Sequence, residues 1–201
     1  MPQIIHPVGK HEIDALVVIH TSAFPDFFLT QLGTRFLRLY YSSVLSHPEG
    51  ILLGCYEEGR LTGFCAATIN SNGFNRRLIK FHFFAFAVEA FLLLLTNIKA
   101  LKRLYLNLSK IDNPDTDKGE YAELLSIGVD RGYQRKGIGK QLLVALEAEV
   151  RYRGGRKLSL TTDYHNNEQA VGFYRSMGYR VFYDFIAYPD REMYRLIKSL
   201  C

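Results

Sequence analysis

Residues 129–140, Val-Asp-Arg-Gly-Tyr-Gln-Arg-Lys-Gly-Ile-Gly-Lys, constrain the fold more than any other stretch of this chain. An apolar strand, Tyr121 to Val129, runs into a turn rich in glycine and cations. The longest helix of the chain, Gly137 to Arg153, starts directly from that turn. Ile138, Leu142, Leu146 and Val150 step by four along it, and Gly154-Gly155 provides the left-handed stop. A helix start leaves backbone N–H groups unpaired and carries the positive end of the dipole, so it holds phosphate oxygens well. Gly137 and Gly139 let such a ligand approach the backbone with no Cβ in the way. Two common phosphate binders do not fit. A Walker loop aligned on Gly139-Lys140 would need glycine where Gln134 stands and Ser or Thr where Gln141 stands. A dinucleotide fingerprint starting at Gly137 and Gly139 would need its third glycine at Leu142. Gln-x-x-Gly-x-Gly remains, over Gln134, Gly137 and Gly139, and a glycine-rich helix start without a ligand would read the same.

Alternating elements flank this junction. Gln3 to Pro7 is a short strand and Glu12 to Ala23 a helix, stopped by the Phe24-Pro25 break. Gly33 to Ser46 is a second helix, with Phe36, Leu37, Tyr40, Tyr41 and Val44 as its stripe. Ile51 to Tyr56 and Leu61 to Ile69 pair around Glu57-Glu58-Gly59-Arg60. After the long helix come a strand at Leu158 to Thr162, a helix at Asn166 to Ser176, and strands at Tyr179 to Tyr188 and Met193 to Leu200. A chain of 201 residues, 48% hydrophobic and 22% charged, can bury a real core. With no repeat or linker, residues 1–201 read as one α/β domain. Cys55, Cys65 and Cys201 match no zinc spacing, so no metal is expected. Cys55 and Cys65 sit in apolar runs as small buried hydrophobes, and the first residues lack a signal-peptide layout. The expected location is cytoplasmic.

The net charge of +5 invites a nucleic-acid reading, but its distribution opposes one. Between Arg76 and Lys110 lie seven basic residues and one acid, Glu89, so the rest of the chain is close to neutral. Phe81 to Leu95 has only His82 and Glu89 as polar residues, and it is shorter than the roughly 20 residues a spanning helix needs. Phe91, Leu94, Ile98, Leu101, Tyr105 and Leu108 recur at helical steps with Lys99, Lys102 and Arg103 mostly off that face. Residues 76–110 are thus expected to be a helical insertion. It either packs its apolar stripe on the domain with a solvated basic face, or meets a peripheral membrane surface or a lipid-linked acceptor.

A second motif follows on the next strand–helix junction: Asn167-Glu168-Gln169-Ala170-Val171-Gly172-Phe173-Tyr174-Arg175-Ser176-Met177-Gly178-Tyr179. The two motifs in this order resemble the GNAT superfamily of N-acetyltransferases, strongly from about Glu123 to Tyr188. The resemblance implies a central mixed, mostly antiparallel twisted sheet flanked by helices. It also implies acetyl-coenzyme A as co-substrate, whose acetyl group an amine attacks directly in a ternary complex. By it, the turn with Gln134, Arg135, Lys136, Gly137, Ile138, Gly139 and Lys140 would hold the pyrophosphate, the three cations adding an attractive field. The strand would splay from its neighbour near Ile127 and Val129, whose backbone would take the pantetheine arm and stabilise the oxyanion, with a bulge at Gly128. Tyr174 would protonate the leaving thiolate, and Phe173 would be the core aromatic of the pair. Asn167 would touch the cofactor, although it or Asn166 would equally serve as a helix cap. Glu123 is the candidate general base, with Asp163 as the other possibility. Phe24, Phe27 and Phe28 would wall the acceptor, and His20, His82 and His165 carry no assignment. The acceptor would be an amino sugar, a peptide or protein N-terminus, or another small amine. A non-catalytic acyl-coenzyme A sensing module would keep the turn and leave Tyr174 idle.

Overall fold

The computed structural model describes residues 3–96, 118–187 and 190–200. Strands β2 (Gly50–Glu57) and β3 (Arg60–Thr68) are buried along nearly their whole length because both faces of their sheet are covered. Alternate residues divide between two cores. Leu52, Phe64 and Ala66 face helices α1 (Ile13–Ala23) and α3 (Thr34–Ser46), which bring Leu16, Leu37, Tyr41 and Val44. Ile51, Leu53, Cys65 and Ala67 face α6 (Ile138–Tyr152), with Ile138, Leu142, Leu146 and Val150 as its buried stripe. The remaining elements are β1 (Ile4–Pro7), the one-turn α2 (Phe28–Gln31), α4 (Phe74–Phe81), α5 (Phe83–Thr96), β4 (Ala122–Val129), β5 (Lys157–Asp163), α7 (Glu168–Ser176), β6 (Arg180–Ala187) and β7 (Arg191–Ser199). The seven described strands form one sheet in the order β1-β2-β3-β4-β5-β7-β6. Every neighbouring pair is antiparallel except β4 and β5, which α6 joins as a crossover. The sheet is therefore mixed and mostly antiparallel, as the motifs imply.

Parallel pairing between β4 and β5 covers only Ala122, Glu123 and Leu124 against Leu158, Ser159 and Leu160. Beyond it the two strands separate, while β4 stays paired with β3 as far as Val129 opposite Gly63. The register between β3 and β4 shifts so that Leu125 is the extra residue between Leu124 and Ser126. The bulge expected at Gly128 thus lies three residues earlier. Gly128 has a packing reason instead: a Cβ there would stand 2.9 Å from Phe64 and 3.3 Å from Phe24.

The insertion departs from the expected packing. Helices α4 and α5 meet at a 98° bend, and α5 buries Phe86, Glu89 and Leu93, leaving Phe91 and Leu94 exposed. Phe86 packs edge-on against Phe36 of α3 at 6.2 Å, and Glu89 pairs with Arg35 at 2.7 Å. The rest of the stripe, from Ile98 onward, lies outside the described residues.

Candidate active site

Asp130 opens the phosphate-type turn. Its N–H donates to the Thr62 carbonyl of β3 at 2.9 Å, and its carboxylate accepts from the Gly132 N–H (3.0 Å) and from Arg60 (3.1 Å). Arg131–Tyr133 form a single 3-10 turn. Arg135 (φ +63°) and Gly137 (φ +80°) are both left-handed, the second directly before α6. No side chain caps that helix, and a Cβ on Gly137 or Gly139 would meet nothing within 4 Å. The Gln141 N–H is bonded to the Gly137 carbonyl at 3.1 Å. The N–H groups of Ile138, Gly139 and Lys140 precede it, in the turn where a helix offers no carbonyl partner. They face open space and carry the positive end of a 15-residue helix.

The predicted residues of this turn divide by role. Gln134, Arg135, Lys136, Gly137 and Lys140 are exposed around the helix start. Lys136 lies 4.6 Å from the Tyr133 ring centre and 3.8 Å from Glu57. Among the described residues, Arg135 and Lys140 have no ion-pair partner. Ile138 differs: its side chain is buried in the core, where it would meet a Cβ on Gly63 at 2.8 Å, so only its N–H is offered to a ligand.

The turn stands at the mouth of the splay. Because the Asp130 N–H points to β3, the alternation of an extended strand turns the N–H groups of Gly128 and Ser126 the same way. Those of Ile127 and Val129 point oppositely, toward the side where β5 has left. A gap edged by unpaired amides is what another extended, amide-bearing chain can join as a strand. Across the gap, the Asn167 amide donates to Thr162 Oγ1 (2.5 Å) and to the Asp163 carbonyl (3.2 Å). It ties the first turn of α7 to the end of β5. Asn167 occupies the cap position of α7, but its side chain does not cap that helix.

Tyr174 reverses the expected order with its neighbour. It is 9% exposed, within the α6-side core, and Phe173 is the less buried of the two. Its ring packs against Phe173 (5.1 Å) and Tyr179 (6.0 Å). Burial, with Cys65 nearby, pushes its hydroxyl up to about 12, so it is a phenol and a donor at neutral pH. Cys65 is the register partner of Ile127, which brings the Tyr174 neighbourhood under the splayed part of β4.

Both candidate bases are engaged. Glu123 accepts from Arg195 at 3.0 Å on one oxygen and from the Ser71 hydroxyl on the other. Asp163 is held by both ends of the Arg191 guanidinium. Arg195 and Arg191 carry no assignment from the sequence. Arg195 is buried among Tyr121, Tyr183 and Phe185, and the only hint is an arginine within a strand otherwise reading as core. Phe24, Phe27 and Phe28 are half-buried, Phe24 against Gly128 and Phe27 under Arg191 at 5.4 Å. Beside them is a second group the sequence left unassigned. His20 is fully buried, its Nδ1 2.7 Å from the Tyr41 hydroxyl, which donates to Ser126 on β4 at 3.0 Å. Burial lowers His20 to about 4, so the ring is neutral. Its Nε2 has no partner among the described residues. His165 is exposed and 2.8 Å from Glu192, and His82 is 2.9 Å from Ser46. Among the described residues, no three His, Cys, Asp or Glu side chains gather as a metal site.

Comparison with known proteins gives this geometry a context. The family model described as Acetyltransferase (GNAT) family matches residues 105–179, which include both motifs. No curated protein sequence matches the chain. Among solved structures, an N-acetyltransferase from Staphylococcus aureus Mu50 is similar at TM-score 0.66 and 17% identity, with 100% of each chain covered. The ribosomal-protein-S18-alanine N-acetyltransferase from Escherichia coli is similar at TM-score 0.61 and 16% identity, over 99% of this chain and 94% of that one. A PaiA N-acetyltransferase from Thermoplasma acidophilum, solved with coenzyme A, is similar at TM-score 0.60 and 15% identity, with 99% of each covered.

Proposed function

We propose that this chain is an acetyltransferase of the GNAT family, whose model matches residues 105–179, and that it moves an acetyl group from acetyl-coenzyme A to an amine within a ternary complex. The observation that carries the reading is the gap where β4 leaves β5, edged by the amides of Ile127 and Val129 and closed at one end by the α6 helix start. Pyrophosphate oxygens fit the N–H groups of Ile138, Gly139 and Lys140, which no Cβ obstructs, with Arg135, Lys136 and Lys140 as the surrounding positive field. The amides of Ile127 and Val129 hold the pantetheine arm as an added strand. One of them donates to the oxyanion that forms when the amine nitrogen attacks the thioester carbonyl. As the C–S bond breaks, the Tyr174 phenol donates to the sulfur, a leaving group whose thiol has a pKa of roughly 8.5. Glu123 is the proposed acceptor of the amine proton, through the Ser71 hydroxyl bonded to it, and Arg195 holds the carboxylate in place.

The acceptor is proposed as a small or peptide amine that enters past Phe24 and Phe27. A cytoplasmic location is part of the proposal, and the buried free thiols of Cys55 and Cys65 support it. The test is calorimetric titration with acetyl-coenzyme A, coenzyme A and ATP, followed by thiol release over a panel of amino sugars, peptides and polyamines. Binding that prefers acetyl-coenzyme A, with turnover of at least one amine class, is the expected result. No binding would remove the donor assignment. Binding with no turnover of any amine would favour a sensing module.

A further inference from the structure

A helix that is apolar on all sides is normally buried on all sides. In α5 the buried side chains among the described residues are Phe86, Glu89 and Leu93. On its other side Phe84, Val88, Phe91 and Leu95, spaced by four, three and four residues, form a continuous exposed stripe, Phe84 being 83% and Phe91 60% exposed. Phe81, 55% exposed at the bend, extends this stripe toward α4. Singly exposed apolar residues are ordinary, but a contiguous stripe of large ones marks a surface that something else covers.

The charges around the stripe distinguish among possible occupants. Glu89, the lone acid from Arg76 to Lys110, points inward and is neutralised by Arg35. The cations Arg76 and Lys80, one turn apart on α4 and the second adjacent in sequence to Phe81, are exposed. The charged side chains that α4 and α5 themselves expose are therefore cations, beside aromatic and aliphatic groups. A second copy would set these cations against each other, whereas anionic lipid headgroups neutralise them while the acyl boundary takes the rings. No single described helix is long and apolar enough to cross a bilayer: fourteen residues of α5 span about 21 Å against a hydrocarbon core of roughly 30 Å, and α4 and α5 are bent by 98° at their junction.

We propose that the outer face of α4 and α5 seats this protein on an anionic membrane surface, with the helix lying in the interface. This inference goes beyond the acetyl-transfer reading and does not depend on it.

The experiment is flotation of the full chain with vesicles of phosphatidylcholine alone or with about 30% phosphatidylserine, at low and high salt. Thermal melts of each variant check its folding. Expected are binding to the anionic vesicles about tenfold tighter than to neutral ones, weakening with salt, and a further loss of about tenfold or more for Phe84→Ser with Phe91→Ser. Arg76→Gln with Lys80→Gln should remove most of the preference for anionic vesicles. Equal binding by the phenylalanine variant, or no binding to either vesicle, overturns the proposal. So does a concentration-dependent dimer in light scattering that Phe84→Ser dissolves, since the face would then belong to a second copy.

Discussion

Replacing Tyr174 by Phe separates catalysis from packing at a buried site residue. The hydroxyl has no hydrogen-bond partner among the described residues, while the ring packs against Phe173 and Tyr179 and lies within the α6-side core. The substitution keeps the ring and removes only the oxygen, so no donor or acceptor on the protein is left unpaired. A change in stability within about 0.5 kcal/mol follows, because the large penalties all need a cavity or an orphaned polar group. Catalysis is expected to respond differently. A positioned acid contributes about a hundredfold to ten-thousandfold, equivalent to roughly 2.7 to 5.4 kcal/mol of barrier. Its proton is secure: burial pushes the phenol up to about 12, so the donor form persists through alkaline assay conditions. The assay is thiol release at saturating acetyl-coenzyme A, with kcat followed from pH 6 to about 10 and a thermal melt of each protein. The expected outcome is a kcat lowered by at least about a hundredfold, an unchanged melting temperature and unchanged coenzyme A affinity. A kcat within about threefold of the unmutated protein, or a loss matched by an equal loss of folding stability, refutes the acid role.

Three further perturbations test other parts of the site. Gly139→Val adds a side chain at a position with ordinary φ and empty surroundings, so its melting temperature should hold while the acetyl-coenzyme A Kd rises by about tenfold or more in calorimetry; an unchanged Kd would place the phosphates elsewhere. Glu123→Gln should lower kcat by about a hundredfold; a melting temperature that falls while kcat stays intact would leave Glu123 as a brace for Arg195 alone. His20 is lowered to about 4 in the fold, so the unfolded chain binds the extra proton first: its contribution is fully present above about pH 6.5 and is lost as pH falls toward 4. That loss amounts to about 3 kcal/mol, and urea melts of His20→Gln should show a flatter acid limb than the unmutated protein; equal slopes would deny the linkage.

The order of elements was legible in the sequence because punctuation and periodicity agree there. Gly137, Gly154-Gly155 and the Phe24-Pro25 break each end or start an element within a residue or two of where the structure places it. The helix-start half of the site was legible for the same reason, since a phosphate turn is local chemistry written in consecutive residues. Pairings over long sequence distances were not. Arg195 reaches Glu123 from 72 residues away, and Tyr41 reaches Ser126 from 85. Nothing near Glu123 distinguishes an unengaged carboxylate from one with both oxygens occupied. The bulge misled for a related reason. Glycine in a strand signals either a kink or a close neighbour, and only the position of Phe64 and Phe24 decides that Gly128 is the second kind.

Helix α5 shows where periodicity itself ceases to inform. Reading Phe91 and Leu94 as the buried stripe assumes that the apolar side of a helix is its inner side. That holds only when the other side is polar. From Phe83 to Leu95 the one charged residue is Glu89, and it is the residue that turns inward, because Arg35 of α3 meets it there. The packing direction is thus set by an ion pair across 54 residues of sequence, and the hydrophobic pattern is left without a preferred face. On the membrane proposal, the outer row meets a surface that is apolar at its centre while the cations of α4 meet its negative edge, the two properties an anionic lipid surface combines.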